Sequence, residues 1–274
     1  MARGQSVTSL KTKIQKWLFP LGSVQTIRAG LLKGSKIVVT ENTQWAPLLG
    51  RWEPAMQKIM ASVIKPGDIV YDLGANFGLH GLLFSRLTGQ EGFLYNFEPL
   101  PQNVLEIENN YKLNKVNNYI TIEKAVSYRS ETVKFIIGTH AGQGKLTSEE
   151  GGKNTREVQT ISLDEFIEAG NRPPNFIKMD IEGAEGAALK GYEKNIAKTF
   201  PAMVIELHSP EADKQVGQFL NFHGYTAYRF NTFNAIKFER IKDLSLPYPH
   251  RDGIWGSIFC LGPGKSLDNF QFNL

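Results

Sequence analysis

The stretch VYDLGANFGLHG, residues 70–81, reads as a buried strand, a glycine-containing turn and the start of a helix. Turns of this kind often hold an anionic group against the free N–H groups of the helix. The dinucleotide fingerprint G-x-G-x-x-G needs a second glycine for close approach of a pyrophosphate, and Asn76 occupies that place. The Gly-Lys-Ser/Thr sequence of a P-loop is also absent. The turn therefore predicts a carboxylate or phosphate ligand without a pyrophosphate.

Strand and helix patterns alternate after this turn. A helix is predicted before it at 53–63 and another after it at 101–113; strands are predicted at 93–99, 119–127, 132–138, 157–167, 175–183 and 202–208. Strands joined by helical crossovers predict an α/β fold, with a mostly parallel sheet covered on both faces. TAYRF (226–230) and IWGSIFCLG (254–262) predict an antiparallel pair at the sheet edge. The polar, glycine-rich segment 139–156 predicts a mobile loop or lid.

The chain divides into an N-terminal extension, residues 1–50, and a main domain, residues 51–274. Leu10, Ile14, Trp17 and Leu18 lie at helical spacing in a basic segment, and KIVVT (36–40) is rich in strand-forming residues. The extension is thus predicted to contain a helix and a strand. The helix either packs on the main domain or provides a membrane-surface or homo-oligomer contact.

Composition excludes several classes of protein. A single cysteine, Cys260, rules out an internal disulfide and fits a reducing compartment. No apolar run approaches the roughly 20 residues of a transmembrane helix, and the N-terminus has no signal-peptide pattern, so a cytoplasmic protein is expected. The net charge of +4 comes from 31 basic and 27 acidic residues, which is typical of a solvated surface.

A second motif supports a nucleoside ligand. Glu98 ends the strand FLYNFEP, 26 positions beyond Asp72, where doubly wound folds place the acid that binds ribose hydroxyls. A ligand with a ribose and a carboxylate but no pyrophosphate fits S-adenosylmethionine, whose sulfonium tolerates acidic neighbours. NAD, which shares this fold and a ribose-binding acid, remains the alternative cofactor.

Four motifs in order, KPGDIVYDLGANFG, FEPLPQN, IKMDIEGAE and IELH, resemble those of the FkbM-type S-adenosylmethionine-dependent methyltransferases. The resemblance covers about residues 52–228. It implies the class I methyltransferase fold, a doubly wound, seven-stranded, mostly parallel sheet with an antiparallel closing strand. It also implies cofactor contacts at Asp72, Gly74, Ala75, Asn76, Phe77, Gly78, Glu98, Pro99, Ala125, Val126 and Asp180.

Catalytic candidates are expected at the carboxyl ends of the fourth and fifth main strands, on the same sheet edge as the cofactor. Asp180, Glu182 and Glu185 follow the fourth strand, although the two glutamates also suit a helix N-terminus. Glu206 and His208 end the fifth strand and, two residues apart, are predicted to project to the same side. Asp180, Glu182 and His208 are the predicted catalytic residues, with His208 as general base.

A metal site is the alternative interpretation of the same strand ends. Asp180, Glu206 and His208 would then bind Mg²⁺ or Mn²⁺, which orients an acceptor hydroxyl. His80, near the start of a helix, and His140, in the predicted lid, are weaker candidates.

The acceptor is narrowed by motifs that the sequence lacks. DIEG stands where enzymes that methylate amino groups carry an Asn/Asp-Pro-Pro-aromatic turn, and Cys260 is not in the Pro-Cys motif of cytosine methylation. By resemblance, the acceptor is a hydroxyl on a small molecule, a sugar or natural product, and the reaction is O-methylation. The alternatives are an NAD-dependent oxidoreductase, a nucleic-acid methyltransferase and a non-catalytic binding protein; the chain has no RNA-recognition motif.

Overall fold

The computed structural model describes residues 18–41, 43, 45–138, 144–147, 155–230, 237–244 and 256–272. The strands are β1 Val24–Thr26, β2 Lys36–Val38, β3 Ile69–Leu73, β4 Phe93–Phe97, β5 Tyr119–Ile122, β6 Ala125–Val126, β7 Thr132–Ile137, β8 Gly144–Thr147, β9 Thr155–Ile161, β10 Phe176–Met179, β11 Ala202–Glu206, β12 Thr226–Phe230, β13 Phe238–Arg240 and β14 Ser257–Leu261. The helices are α1 Trp45–Leu48, α2 Pro54–Val63, α3 Leu79–Thr88, α4 Pro101–Leu113, α5 Leu163–Glu168, α6 Glu185–Lys190 and α7 Pro210–Phe222.

Eight strands form the main sheet, in the order β13-β12-β14-β11-β10-β3-β4-β5. The five strands from β11 to β5 are parallel, and β14 lies antiparallel between β11 and β12. The predicted mostly parallel sheet with an antiparallel closing strand is therefore confirmed. β13 adds one edge strand to the predicted seven, because it pairs antiparallel with β12.

Helices cover both faces of the sheet, which explains why its central strands β3 and β10 are buried along their whole length. Side chains alternate between two cores along β3: Val70 packs with residues of α2, α3 and α4, whereas Tyr71 packs with residues of α5, α6 and α7. Parallel strands place their carboxyl ends at one edge, and the turns after β3, β4, β10 and β11 all lie there.

A smaller sheet, in the order β6-β9-β7-β8, joins the main sheet at the break between β5 and β6. The single strand predicted at 119–127 is thus two strands that belong to different sheets. The segment predicted as a loop, 139–156, contains β8, which pairs antiparallel with β7. Backbone partners on β7 stabilise this strand although its local composition favours a loop. His140 and the rest of 139–143 and 148–154 lie outside the described residues.

The described part of the extension packs on the main domain. The N–H group of Lys36 donates to the side-chain oxygen of Asn114, directly after α4, at 2.8 Å, and that of Val38 donates to Asn110 on α4 at 2.9 Å. Ile37 between them is fully buried in the core that also contains Val70. Of the residues predicted to form the N-terminal helix, only Leu18 is among the described residues; the others lie in 1–17. No helix in the ranges given above is both long and apolar enough to cross a membrane.

Candidate active site

The turn between β3 and α3 requires unusual backbone angles. Gly74, Asn76 and Gly78 have φ values of 79°, 52° and 80°, which glycine adopts without strain and asparagine tolerates better than most residues. A Cβ atom at Gly74 would lie 2.0 Å from the carbonyl oxygen of Asp180. Glycine at this position therefore lets the turn after β3 pack directly against the turn after β10.

Glu98 follows β4 and holds the turn from the side. Its Oε2 accepts a hydrogen bond from the N–H of Asn76 at 2.9 Å, and its Oε1 accepts from the N–H of Leu100 and the amide of Asn103 at 3.0 and 3.1 Å. Burial raises the pKa of Glu98 to about 7, although these donors and the charge of Lys178 act to lower it. The structure thus brings the predicted ribose-binding acid into contact with the predicted donor turn.

The remaining predicted cofactor residues differ in what they expose. Ala75 and Phe77 are buried in the core, so only their backbone can face a ligand. Pro99 is half-buried directly after Glu98. Ala125 and Val126 form β6, which pairs with β9, and their side chains are also buried.

Two polar side chains beside the turn have oxygens without a hydrogen bond. Both carboxylate oxygens of Asp72 and the Oδ1 of Asn76 are buried and find no hydrogen-bond partner among the described residues. Buried polar atoms are normally paired, and of these three oxygens only Oδ1 of Asp72 has an ion-pair partner, Lys178 at 3.4 Å.

Lys178, which the sequence analysis missed, connects the donor turn with the next strand. Its buried Nζ donates to the carbonyl of Gly74 at 2.9 Å and lies 3.4 Å from Asp72 and 3.7 Å from Asp180. Burial alone would lower the pKa of this lysine, but the charges of surrounding carboxylates, Asp72 above all, raise it overall. A lysine within the apolar strand FIKM was the available signal, because lysine is almost never buried without a partner.

The predicted catalytic residues Asp180, Glu182 and His208 lie together at the ends of β10 and β11. Nε2 of His208 is 3.6 Å from Oδ1 of Asp180 and 3.8 Å from Oε2 of Glu182. Its Nδ1 is 3.3 Å from Oε1 of Glu185, the first residue of α6. We call these four residues the acidic histidine cluster. Glu185 is both the helix N-terminal acid and a partner of the histidine.

The structure gives a different metal-ligand set from the one predicted. One ligand atom each from Asp180, Glu182 and His208 lies within 4.8 Å of the others, and this group does not include Glu206. β11 ends at Glu206, so strand alternation no longer governs where the side chain of His208 projects. Burial and the charges of Asp180 and Glu53 raise the pKa of Glu206 to about 7.

The protonation of His208 follows from its neighbours. Burial by itself would lower its pKa, but the hydrogen bond to Glu185 and the charges of Asp180, Glu185 and Glu182 raise it to about 9. The surrounding carboxylates therefore favour the protonated form of the imidazole, and the general-base role of His208 stays a prediction.

His80 pairs with a residue that the sequence analysis did not single out as a site residue. Its Nε2 lies 3.2 Å from Oε2 of Glu53, which precedes α2 with a φ of 41°. Burial would raise the pKa of Glu53, but His80 and the charge of Lys178 lower it overall. The only available sequence signal was the acid in GRWEP, directly before the helix. Glu53 also affects the pKa of Lys178 and Glu206, so it belongs to the same charged edge.

The comparisons with known proteins agree with this arrangement. The sequence model of the methyltransferase FkbM domain matches residues 72–227, more than half of the chain. The chain is 26% identical to the hexuronic acid methyltransferase AglP of Haloferax volcanii over 172 residues, which cover 62% of this chain and 69% of that protein.

Solved structures with similar folds include a methyltransferase and a fibrillarin. Methyltransferase FkbM of Methylobacillus flagellatus has a TM-score of 0.47 and 17% identity, over 72% of this chain and 48% of that one. Fibrillarin of Aeropyrum pernix, solved with S-adenosyl-L-methionine, has a TM-score of 0.43 and 10% identity, over 76% of this chain and 73% of that one. Because both TM-scores are below 0.5, the assignment rests on the match of the family model. The chain belongs to the FkbM-type family of S-adenosylmethionine-dependent methyltransferases.

Proposed function

We propose that this protein transfers the methyl group of S-adenosylmethionine to a hydroxyl of a sugar. The observation that carries the proposal is the position of Lys178, which contacts both the donor turn at Gly74 and the acidic histidine cluster at Asp180. Donor and acceptor groups would then meet at one sheet edge, as methyl transfer requires. The sugar acceptor is supported by the likeness to a hexuronic acid methyltransferase.

The donor would bind along the turn after β3. Glu98 can accept a hydrogen bond from a ribose hydroxyl at Oε2, because Asn76 uses only one of the two lone pairs of that oxygen, whereas Leu100 and Asn103 use both lone pairs of Oε1. Oδ2 of Asp72, whose Oδ1 is paired with Lys178, and Oδ1 of Asn76 suit the ammonium group of the methionine part. The free N–H groups at the start of α3 suit its carboxylate. The backbone at 125–126 is proposed to meet the adenine.

The acceptor would lie against the acidic histidine cluster. Its hydroxyl oxygen forms a bond to the methyl carbon while the bond from that carbon to sulfur breaks, and the hydroxyl proton must leave. The carboxylates around His208 favour its protonated form, so we propose that Asp180, Glu182 or a bound cation promotes the ionisation of the hydroxyl. Negative charge at the cluster disfavours a carboxylate acceptor, which supports a neutral hydroxyl.

We also propose that residues 1–50 act as an extension of the domain 51–274 rather than as a separate unit. Asn110 supports this, because its side chain accepts from Val38 in the extension and donates to the carbonyl of Phe77 in the donor turn. The extension would thereby help to fix the turn.

Calorimetric titration with S-adenosylmethionine tests the donor site. We expect binding to the wild type and at least about tenfold weaker binding to Glu98→Ala, since a hydrogen bond to a charged group contributes about 1.5–3 kcal/mol. Glu91→Ala, an exposed glutamate at the opposite edge of the sheet, is the matched control and should bind as the wild type does. Equal affinity in all three proteins would refute the donor site.

Methyl transfer from labelled donor to paired sugars tests the acceptor. A glucuronide and the matching neutral glucoside are compared, and the products are treated with mild base, which cleaves a methyl ester but not a methyl ether. We expect a base-stable product. A base-labile product would show transfer to the carboxylate and would contradict the hydroxyl proposal while leaving the donor site intact.

A further inference from the structure

The acidic histidine cluster has the spacing of a divalent cation site. Two ligands of an octahedral ion, each about 2.1 Å from it, lie between about 3 and 4.2 Å apart. Nε2 of His208 lies 3.6 Å from Asp180 and 3.8 Å from Glu182, and both distances fall within this range; one ligand atom from each of the three side chains lies within 4.8 Å of the others. The three side chains are between 27% and 35% exposed, which leaves room for further ligands.

Glu185 provides a second observation in favour of a cation, separate from the spacing of Asp180, Glu182 and His208. It is fully buried, and its Oε1 contacts Nδ1 of His208 and accepts from the N–H of Gly183 at 3.0 Å. Its Oε2 is also buried and has no hydrogen-bond partner in the described part of the chain. A buried carboxylate on one imidazole nitrogen is how proteins orient a histidine whose other nitrogen binds a metal.

The charges near the cluster also favour a cation. Asp180, Glu182 and Glu185 surround one imidazole, and the nearest lysine, Lys178, is already shared with Asp72 and the carbonyl of Gly74. Buried or half-buried carboxylates that outnumber their cations are stabilised by a bound metal ion.

We propose that Asp180, Glu182 and His208 bind one divalent cation, Mg²⁺ or Mn²⁺. Glu185 orients the imidazole of His208 for this role, and the cation takes the acceptor hydroxyl as a further ligand. Two oxygens and one imidazole nitrogen suit Mn²⁺, and Mg²⁺ is the alternative with the same geometry. The role of the ion rests on the proposed function: a divalent cation lowers the pKa of a bound hydroxyl, which loses its proton to solvent as its oxygen attacks the methyl carbon.

Binding of the ion is measured without donor or acceptor, so its outcome is separate from that of the proposed function. Chelator-treated, full-length protein is titrated with Mn²⁺, and the free aquo ion is followed by electron paramagnetic resonance. We expect one ion per chain, displaced by excess Mg²⁺. Asp180→Asn and Glu182→Gln should each weaken binding at least about tenfold, and Glu185→Gln should weaken it by about 10- to 100-fold.

Glu206→Gln is the matched control, because it neutralises a carboxylate of the same edge that lies outside the ligand group. It should leave Mn²⁺ affinity within about threefold of the wild type, which is below the effect of losing an orienting group. Thermal unfolding of each metal-free variant verifies that it is still folded. Absence of stoichiometric Mn²⁺ binding, or equal loss in Glu206→Gln and Glu182→Gln, would overturn the proposal.

Discussion

Replacing Lys178 by methionine should strongly destabilise the fold, because it leaves a buried carboxylate without its cation. The side chains of Lys178 and Asp72 are 5% and 1% exposed and lie 3.4 Å apart, and methionine fills nearly the same volume. Removing one partner of a buried ion pair costs about 3–5 kcal/mol. Asp180, the second partner, is 32% exposed and adds little to this cost. The lost hydrogen bond to Gly74 adds about 1 kcal/mol.

Urea unfolding of four metal-free proteins measures this effect: the wild type, Lys178→Met, Asp72→Asn and the double variant. We expect the free energy of unfolding to fall by about 4–6 kcal/mol in Lys178→Met, the sum of the lost ion pair and the lost hydrogen bond. The double variant should recover part of this loss, because its asparagine no longer carries the unpaired charge. A coupling energy of about 1–3 kcal/mol between the two positions is expected.

Two outcomes would refute this explanation of Lys178. A Lys178→Met protein within about 1 kcal/mol of the wild type would show that Asp72 is solvated or paired in another way. Strictly additive effects in the double variant would show that the two side chains act independently. In either case the connection between the donor turn and the acidic histidine cluster would lose its energetic basis.

Three further predictions concern the donor turn. Burial raises the pKa of Glu98 to about 7 against the opposing charge of Lys178, so its ionised form is lost as pH falls through 7. The Kd of S-adenosylmethionine measured by calorimetry should therefore be roughly tenfold higher at pH 6 than at pH 8. A Kd that does not change with pH would contradict this. Gly74→Ala should lower the free energy of unfolding by about 1–3 kcal/mol more than Gly67→Ala. Both glycines have φ above 75°, but only at Gly74 would the added Cβ collide with another backbone segment, the carbonyl of Asp180. Equal losses would show that the close approach is unimportant. Asn110→Ala should cost about 1–3 kcal/mol in thermal or urea unfolding, since it leaves a buried N–H and a buried carbonyl without their partner; a neutral effect would separate the extension from the turn.

Local patterns in the sequence were sufficient to predict the donor turn. The left-handed positions at Gly74 and Gly78 and the acid at Glu98 are properties of short segments at strand ends, and the parallel sheet brings those ends together. The same rule placed Asp180 and His208 side by side. Their pairing follows from topology and needs no detail of side-chain packing.

Tertiary packing determined what could not be predicted. His208 lies beyond the end of β11, so the direction of its side chain depends on the contact with Glu185 rather than on strand alternation. In the group of possible metal ligands, Glu182 stands where Glu206 was predicted. Lys178 reads as one polar residue in an apolar strand, and its role depends on two partners, one of which, Asp72, is over a hundred positions away. β8 and β13 form because neighbouring strands offer backbone partners, which local composition does not reveal.

The distribution of charge along this edge fits a reaction in which a positive charge is lost. The sulfonium of the proposed donor becomes a neutral thioether when its methyl group leaves, so unpaired carboxylates beside it would stabilise the bound donor more than the transition state. Lys178 offsets the charge of Asp72 on the donor side, whereas Glu182 and Glu185 add negative charge around His208 on the acceptor side. Under the proposed function, the excess of carboxylates therefore lies where a hydroxyl must lose its proton. Under this function, the buried lysine offsets part of the carboxylate charge on the donor side, whereas the acceptor side stays more acidic.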